Sequence, residues 1–282
     1  MKLDAAGNVH LTYCTNVHPG ETLQELEQIV TTHVSSVRQQ LGIAHFGVGL
    51  RIAERAATTL AEPEQLARFK DLLTEAGLYA FTLNGFPYGT FHGAPVKEKV
   101  YQPDWRTQER LRYTNQLAKI LSQLLPDGTS GSISTVPLGY RPNMTANDEP
   151  LLVSQLLNHV TVLHQIAEQT GRYIELGLEP EPNCYLETLE EAALFLQRGP
   201  FAQSGVEQFA KLTGLSSSRA EEVLRRHLGV CLDACHMAVE FEAPLEAVAM
   251  LKAAGVRITK LQVSAGLSCA LGGDKQADAP HL

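Results

Sequence analysis

Seven short runs of β-branched, aromatic and aliphatic residues, each trailed by a stretch of helical or loop character, limit what this chain can fold into. They fall at residues 9–14, 45–52, 79–83, 131–136, 173–179, 228–233 and 256–263. Between them lie segments with apolar residues at helical spacing: Leu23, Leu26, Ile29 and Val30; Leu66, Phe69, Leu72 and Leu73; Leu111, Leu117, Ile120, Leu121 and Leu124. Helix starts are written beside them. Thr22 with Glu25 and Thr188 with Glu191 fit capping boxes, Ser218 with Glu221 repeats the signature, and Pro150 suits a first helical turn after Asp148. Strand alternating with helix implies parallel strands joined by right-handed crossovers, so the choice is an open doubly wound sheet or a (β/α)8 barrel.

Two of the apolar runs end on acids, and that decides between the alternatives. Residues 173–178 lead into Glu179, Pro180 and Glu181, while residues 228–232 lead into Asp233, with His236 three residues on. A buried strand favours apolar side chains, so acids and a histidine at strand ends suit a ligand cluster at a rim. In a parallel sheet both acids stand at the same, C-terminal end, where barrels carry their chemistry. No glycine-rich phosphate loop follows the first run to mark the nucleotide site of an open sheet. The expectation is therefore a (β/α)8 barrel over residues 1–263 with its eighth unit absent, a helical excursion at about 200–228, and an irregular tail at 264–282. A plainer role for Asp233 is to cap the following helix, and His159 and His164 read as ordinary helix residues.

The third run opens into a long aromatic loop, from Asn84, Phe86, Tyr88, Phe91 and His92 to Trp105, the single tryptophan. Loops of this length commonly bind something, and its rings can wall in a small polar ligand; packing over the barrel rim is the alternative. Asn84, Phe86, Tyr88, His92 and Trp105 are the candidate substrate contacts. The formal net charge of -8 gives no general attraction to nucleic acid or anionic lipid. Five cysteines in a long chain suggest reduced thiols, and Cys231 with Cys235 lacks the second pair of a zinc finger. With no apolar leader at the N-terminus and no run of membrane-spanning length, a soluble cytoplasmic protein is expected.

The strings Leu178-Glu179-Pro180-Glu181-Pro182 and Leu232-Asp233-Ala234-Cys235-His236 resemble the xylose isomerase-like barrel superfamily of sugar isomerases and epimerases. More narrowly, His10 to Asn16, Asn84 to His92, Pro103-Asp104-Trp105 and Gly131 to Pro137 resemble the EboE metabolite traffic proteins, over nearly the whole chain. The resemblance implies a divalent metal (Mg, Mn or Zn) held by Glu179 and Asp233, with His236 touching metal or substrate. It also implies a small-molecule metabolite as ligand and other proteins of a metabolite export pathway as partners. Gln262 stands where many of these isomerases carry a histidine ligand, and an amide oxygen binds hard cations more weakly than a carboxylate. The strand-eight glutamate, ligand and base in the epimerases, has no counterpart before Leu282.

Two functions follow. In a metal-dependent isomerase or epimerase, Glu179 and His236 carry proton transfer beside Glu179, Asp233, His236 and Gln262 as the metal set, with Glu181 as a supporting acid or a replacement for Glu179. In a carrier, the same mouth holds a metabolite without chemistry. A nuclease on this fold would need more histidines and a basic face. Seven units leave two strand edges unpaired, so the isolated chain is expected to be marginally stable or to associate. Unfolding should shift with protein concentration; a sharp, concentration-independent transition of a monomer would contradict this.

Overall fold

Strand order in space is strand order in sequence. The computed structural model describes residues 1–3, 9–89, 97–266 and 268, and within them seven parallel strands form one sheet in the order β1 to β7. The strands are β1 (Thr12–Cys14), β2 (Phe46–Arg51), β3 (Leu78–Asn84), β4 (Gly131–Thr135), β5 (Ile174–Leu178), β6 (Leu228–Asp233) and β7 (Arg257–Gln262). Every residue of β2, β4, β5 and β6 is buried. That is the signature of parallel strands covered on one face by helices and on the other by the barrel interior. By contrast β1 is only half-buried and β7 is half-buried to exposed, because no pairing joins them among the described residues.

The helices are α1 (Leu23–Ile29), α2 (Ser35–Gln40), α3 (Glu54–Leu60), α4 (Pro63–Glu75), α5 (Gln108–Leu124), α6 (Glu149–Thr170), α7 (Leu189–Arg198), α8 (Gln203–Thr213), α9 (Ser217–His227), α10 (Ala234–Val239) and α11 (Pro244–Ala253). Thr22 and Glu25 make the expected reciprocal cap. At α7 only half of the pattern forms: Thr188 accepts from the Glu191 amide, but the Glu191 carboxylate turns to the Glu187 N–H at 2.7 Å. The α9 cap is Ser216 rather than Ser218. The excursion at 200–228 resolves into α8 and α9, which pack on each other and on α6. No described helix is long and apolar enough to cross a membrane.

Sheet curvature comes from two irregular registers. Between Val230 and Cys231 the pairing to β7 jumps from Ile258 to Lys260, leaving Thr259 as an extra residue. A matching jump against β2 leaves Phe81 unpaired on β3. Such bulges bend and twist the strand that carries them. Thr259 then lies over Gly177 and Gly229, where a Cβ would come within 2.4 Å of the Thr259 hydroxyl and 2.3 Å of the Arg257 carbonyl. Only glycine permits that approach. Consequently β7 swings inward, and Lys260 and Gln262 reach side chains of β3 and β4.

Between the edges of β1 and β7 a groove of about 950 Å³ opens, lined by Thr12, Tyr13 and Cys14 on one side and 257–264 on the other. Where β5 and β6 begin, His227 Nδ1 donates to the Ile174 carbonyl at 2.7 Å, and on α6 His159 lies against Trp105 with Nδ1 2.6 Å from Asn115 Oδ1. Burial lowers His227 from 6.5 to about 4 and His159 to about 3. Below pH 6.5 the unfolded chain binds protons these residues refuse, so each removes stability as pH falls from 6.5 towards its native value. Together they should cost about 2–4 kcal/mol between pH 6.5 and 5. Urea unfolding of wild type and His227→Gln at pH 7 and 5 should show a loss that is smaller in the variant by about half; equal losses would mean that His227 titrates normally.

Candidate active site

The end of β5 delivers Glu179, whose amide donates to the Thr135 carbonyl at 3.1 Å, fixing the carboxylate over the barrel mouth. The end of β6 delivers Asp233. Both are buried, at 5% and 8% exposure. Between them lies the Gln262 amide from β7, which donates to Glu179 Oε1 at 2.6 Å and to Asp233 Oδ2 at 2.8 Å. Its oxygen faces Asn84 Nδ2 at 3.4 Å, from the end of β3, and Asn84 Oδ1 in turn accepts the Phe86 N–H at 3.2 Å. Four strand ends therefore meet in one polar chain: Asn84, Gln262, Glu179 and Asp233.

Asp233 does two things at once. Its Oδ1 accepts the Cys235 N–H at 2.8 Å and the His236 N–H at 3.4 Å, capping α10, and receives the Ser264 hydroxyl at 2.5 Å. The cap turns the helix so that His236 Nδ1 meets the Pro180 carbonyl at 2.9 Å. As a donor there, Nδ1 leaves Nε2 with its lone pair, the tautomer a metal or a ligand proton would use.

Burial raises the Glu179 carboxyl above its ordinary range, opposed by the Lys260 ammonium. Glu181 is pushed up to about 7 by burial first, with Glu179 adding to the rise and His236 opposing it. The Tyr101 hydroxyl donates to Glu181 Oε1 at 3.4 Å, and its ring stacks on Tyr140 and meets Phe86 edge-on. Asp233, Cys235 and His236 bring their ligand atoms within 4.8 Å of one another. Burial and the Asp233 charge hold the Cys235 thiol protonated more firmly, so it is the weakest ligand of the three. Glu179 Oε2 is buried with no hydrogen-bond partner. Among the described residues the gathered ligand atoms are those of Asp233, Cys235 and His236; Glu179, whose orphaned oxygen is buried at the neighbouring strand end, lies outside that group and would have to move closer to share a cation with Asp233 and His236. Gln262 would join them only by turning its oxygen inward.

The aromatic loop divides. Asn84 is in the polar chain, and Phe86 touches the site through Tyr101. Tyr88 packs edge-on against Tyr113, beside α5. Trp105, expected as a ligand wall, is fully buried and donates to Thr135 Oγ1 at 3.1 Å: its indole closes the core behind β4. His92 lies outside the described residues. Arg110, which the pattern gave no reason to notice beyond its place in an amphipathic helix, anchors the loop. Fully buried, it donates to the carbonyls of Pro103, Gly85 and Phe86 at 2.7–3.1 Å. Tyr101 and Lys260 were also missed. For Lys260 the available signal was a lysine inside the run Ile258-Thr259-Lys260-Leu261-Gln262.

No family model matches this sequence, and no curated protein matches it. Solved structures do. A xylose isomerase domain protein from Planctomyces limnophilus aligns over 80% of this chain and 67% of its own at 16% identity and a TM-score of 0.50. An L-ribulose 3-epimerase aligns over 97% of this chain and 86% of its own at 13% identity, again with a TM-score of 0.50. The IolI protein, solved with a bound zinc atom, aligns at 14% identity over 88% of this chain and 70% of its own, with a TM-score of 0.47. The fold is that of the xylose isomerase-like TIM barrels, here an incomplete barrel of seven strands among the described residues.

Replacing Gln262 by Leu leaves two neighbouring buried carboxylates without their shared donor. Stability should fall by about 2 kcal/mol at pH 8 and by less at pH 5, where protonation relieves the repulsion. Chemical denaturation at the two pH values checks this; an equal loss at both would assign Gln262 a packing role alone.

Proposed function

We propose that this chain is an isomerase- or epimerase-like barrel that binds a small polyhydroxylated metabolite at a divalent-metal site formed by Glu179, Asp233 and His236. One observation carries the reading. Two buried carboxylates from adjacent strand ends converge on a single amide group, and one of their oxygens has no partner. Like charges held this close are stable only beside positive charge or donors, and a divalent cation is the strongest such partner. The resemblance of the loop segments to the EboE metabolite traffic proteins supports a setting in which the metabolite is handed between proteins of an export pathway.

When bound, the cation would hold two substrate oxygens and stabilise negative charge developing on them. The chain supplies the rest. Asn84 and Gln262 offer amide groups for ligand hydroxyls. Glu181, half protonated near pH 7 because it is buried, can keep or release a proton at a carboxyl oxygen oriented by the Tyr101 hydroxyl. His236 Nε2 accepts a proton or ligand contact while the Pro180 carbonyl holds the ring still. Phe86 and Tyr101 exclude water from that flank.

A second reading, a carrier without chemistry, is favoured by the Gln262 amide itself. Its two N–H bonds already bridge the carboxylates, doing electrostatically part of what a cation would do. Elemental mass spectrometry after extensive dialysis distinguishes the cases. About one divalent ion per chain in wild type, lost in both Glu179→Ala and Asp233→Ala, is expected for the metal site. Metal in neither wild type nor variants would leave the carrier.

A further inference from the structure

We propose that the corner between α10 and α11 is a docking surface for a cationic amphipathic helix of another protein, with Phe241 as its anchor. The surface lies outside the barrel mouth and stands independently of the metal reading.

At the end of α10 the Phe241 N–H donates to the Ala238 carbonyl at 3.3 Å and the Glu242 N–H to the Met237 carbonyl at 2.9 Å. This pair of bonds ends a helix on a left-handed residue, a place where glycine is the usual choice. Here it is Phe241, at φ 57°. The left-handed residues that follow α2, α4, α6, α8 and α11 are all glycines: Gly42, Gly77, Gly171, Gly214 and Gly255. A Cβ in this conformation crowds the neighbouring carbonyl oxygen, so a side chain there is strained. Packing can offset such strain, as at Leu138, left-handed at φ 75° and fully buried. Phe241 is 94% exposed, so its ring recovers nothing within the chain.

An apolar stripe continues from this ring. Leu245 is 87% exposed, and Val248, one turn further along α11, is exposed as well. Residues three and four apart on a helix share a face, so Leu245, Val248 and the exposed Ala249 form one stripe, and the small Ala249 lets a second helix come close. Only Ala247 and Leu251 of α11 are buried. The rim is acidic. Glu240, Glu242 and Glu246 alternate with the apolar residues along the chain, and Glu240, Glu190 and Glu191 add to burial in raising the Glu242 carboxyl. Among the described residues Glu190, Glu240, Glu242 and Glu246 form no ion pair. A partner helix with an apolar stripe edged by lysine or arginine complements this surface in both shape and charge. A second copy of this chain does not, since it brings the same acids and a formal net charge of -8. Residues 267–282, which follow Gly266 beside Val239, do not either, with one lysine against two aspartates.

The probe is a fluorescein-labelled helical peptide of about 15 residues, leucine on one face and lysine on the other, followed by anisotropy with the full chain. Wild type should bind it, and the same peptide with glutamate for lysine should bind at least about 10-fold more weakly. Phe241→Ser with Leu245→Ser should lose about 10-fold in affinity while every acid stays in place. Glu240→Gln with Glu246→Gln should lose about 3-fold and flatten the dependence on salt. Phe241→Gly separates binding from folding: it should raise the urea midpoint, because glycine suits the left-handed position, yet weaken peptide binding. A lowered midpoint in Phe241→Gly would make the ring structural and overturn the proposal, as would unchanged peptide binding in the serine variant. A wild-type dimer in sedimentation velocity that Phe241→Ser dissociates would give the surface to a second copy. Tighter peptide binding by Leu267→Ser with Leu271→Ser would give it to the chain's own C-terminal residues, and either result overturns the cationic partner.

Discussion

The inward swing of β7 depends on two missing side chains. Gly177 on β5 and Gly229 on β6 sit side by side in register; both lie under Thr259, and Gly229 also under the Arg257 backbone. Any Cβ at either position would meet backbone or hydroxyl atoms at distances no packed structure holds. With the space empty, the bulged strand closes over its neighbours, and the last two inward residues of β7 span the barrel mouth. A seven-stranded sheet thereby gains cross-barrel contacts that closure by an eighth strand would otherwise supply. Every polar contact between β7 and the β3–β5 side of the mouth follows from that approach.

The electrostatics of the mouth are those of a partly neutralised acid cluster. Glu179, Glu181 and Asp233 stand on adjacent strand ends, and burial raises the first two above the ordinary carboxylate range. Opposing this are the Gln262 amide, the Ser264 hydroxyl, the N-terminal N–H groups of α10 and the Lys260 ammonium. None of these is a full ion pair. The cluster therefore holds its charge loosely, a state suited to binding and releasing protons or cations rather than to stability. Behind the mouth the reverse holds. Arg110 gives a buried charge three carbonyl acceptors and two ring faces, Tyr88 and Tyr113, which ties the loop after β3 to α5 as a rigid support.

The gap between β1 and β7 sets a different constraint. Leu261 and Val263 on one edge and Val9 and Leu11 near the other remain exposed; residues 1–3 bridge back to residues 9–11, and no strand pairs with the outer edge of β7 among the described residues. Such edges lower local stability and invite pairing with another strand. The groove they border runs beside Asp233 and Lys260, so the state of the seam and access to the site are physically coupled.

Much of this was legible in the residue pattern. Apolar runs separated by helical periodicity specify parallel strands with crossovers, because each element must bury one face and only a limited set of layers allows it. Acids at the ends of the fifth and sixth runs specify where polarity gathers, since the alternative is an uncompensated charge in a core. Hidden from the sequence were the features set by register and by distant neighbours. Trp105 reads as a loop aromatic until Thr135 is found to accept its N–H; Asp233 reads as either cap or site residue, and tertiary placement makes it a cap beside Glu179. Lys260 and Arg257 look like opposite faces of one strand, and a single extra residue against β6 turns both inward. Local chemistry determines which segments become strands and which strands end in acid. Only the assembled sheet decides which side chains meet, because one bulge and two glycines move β7 by the distance that separates contact from solvent.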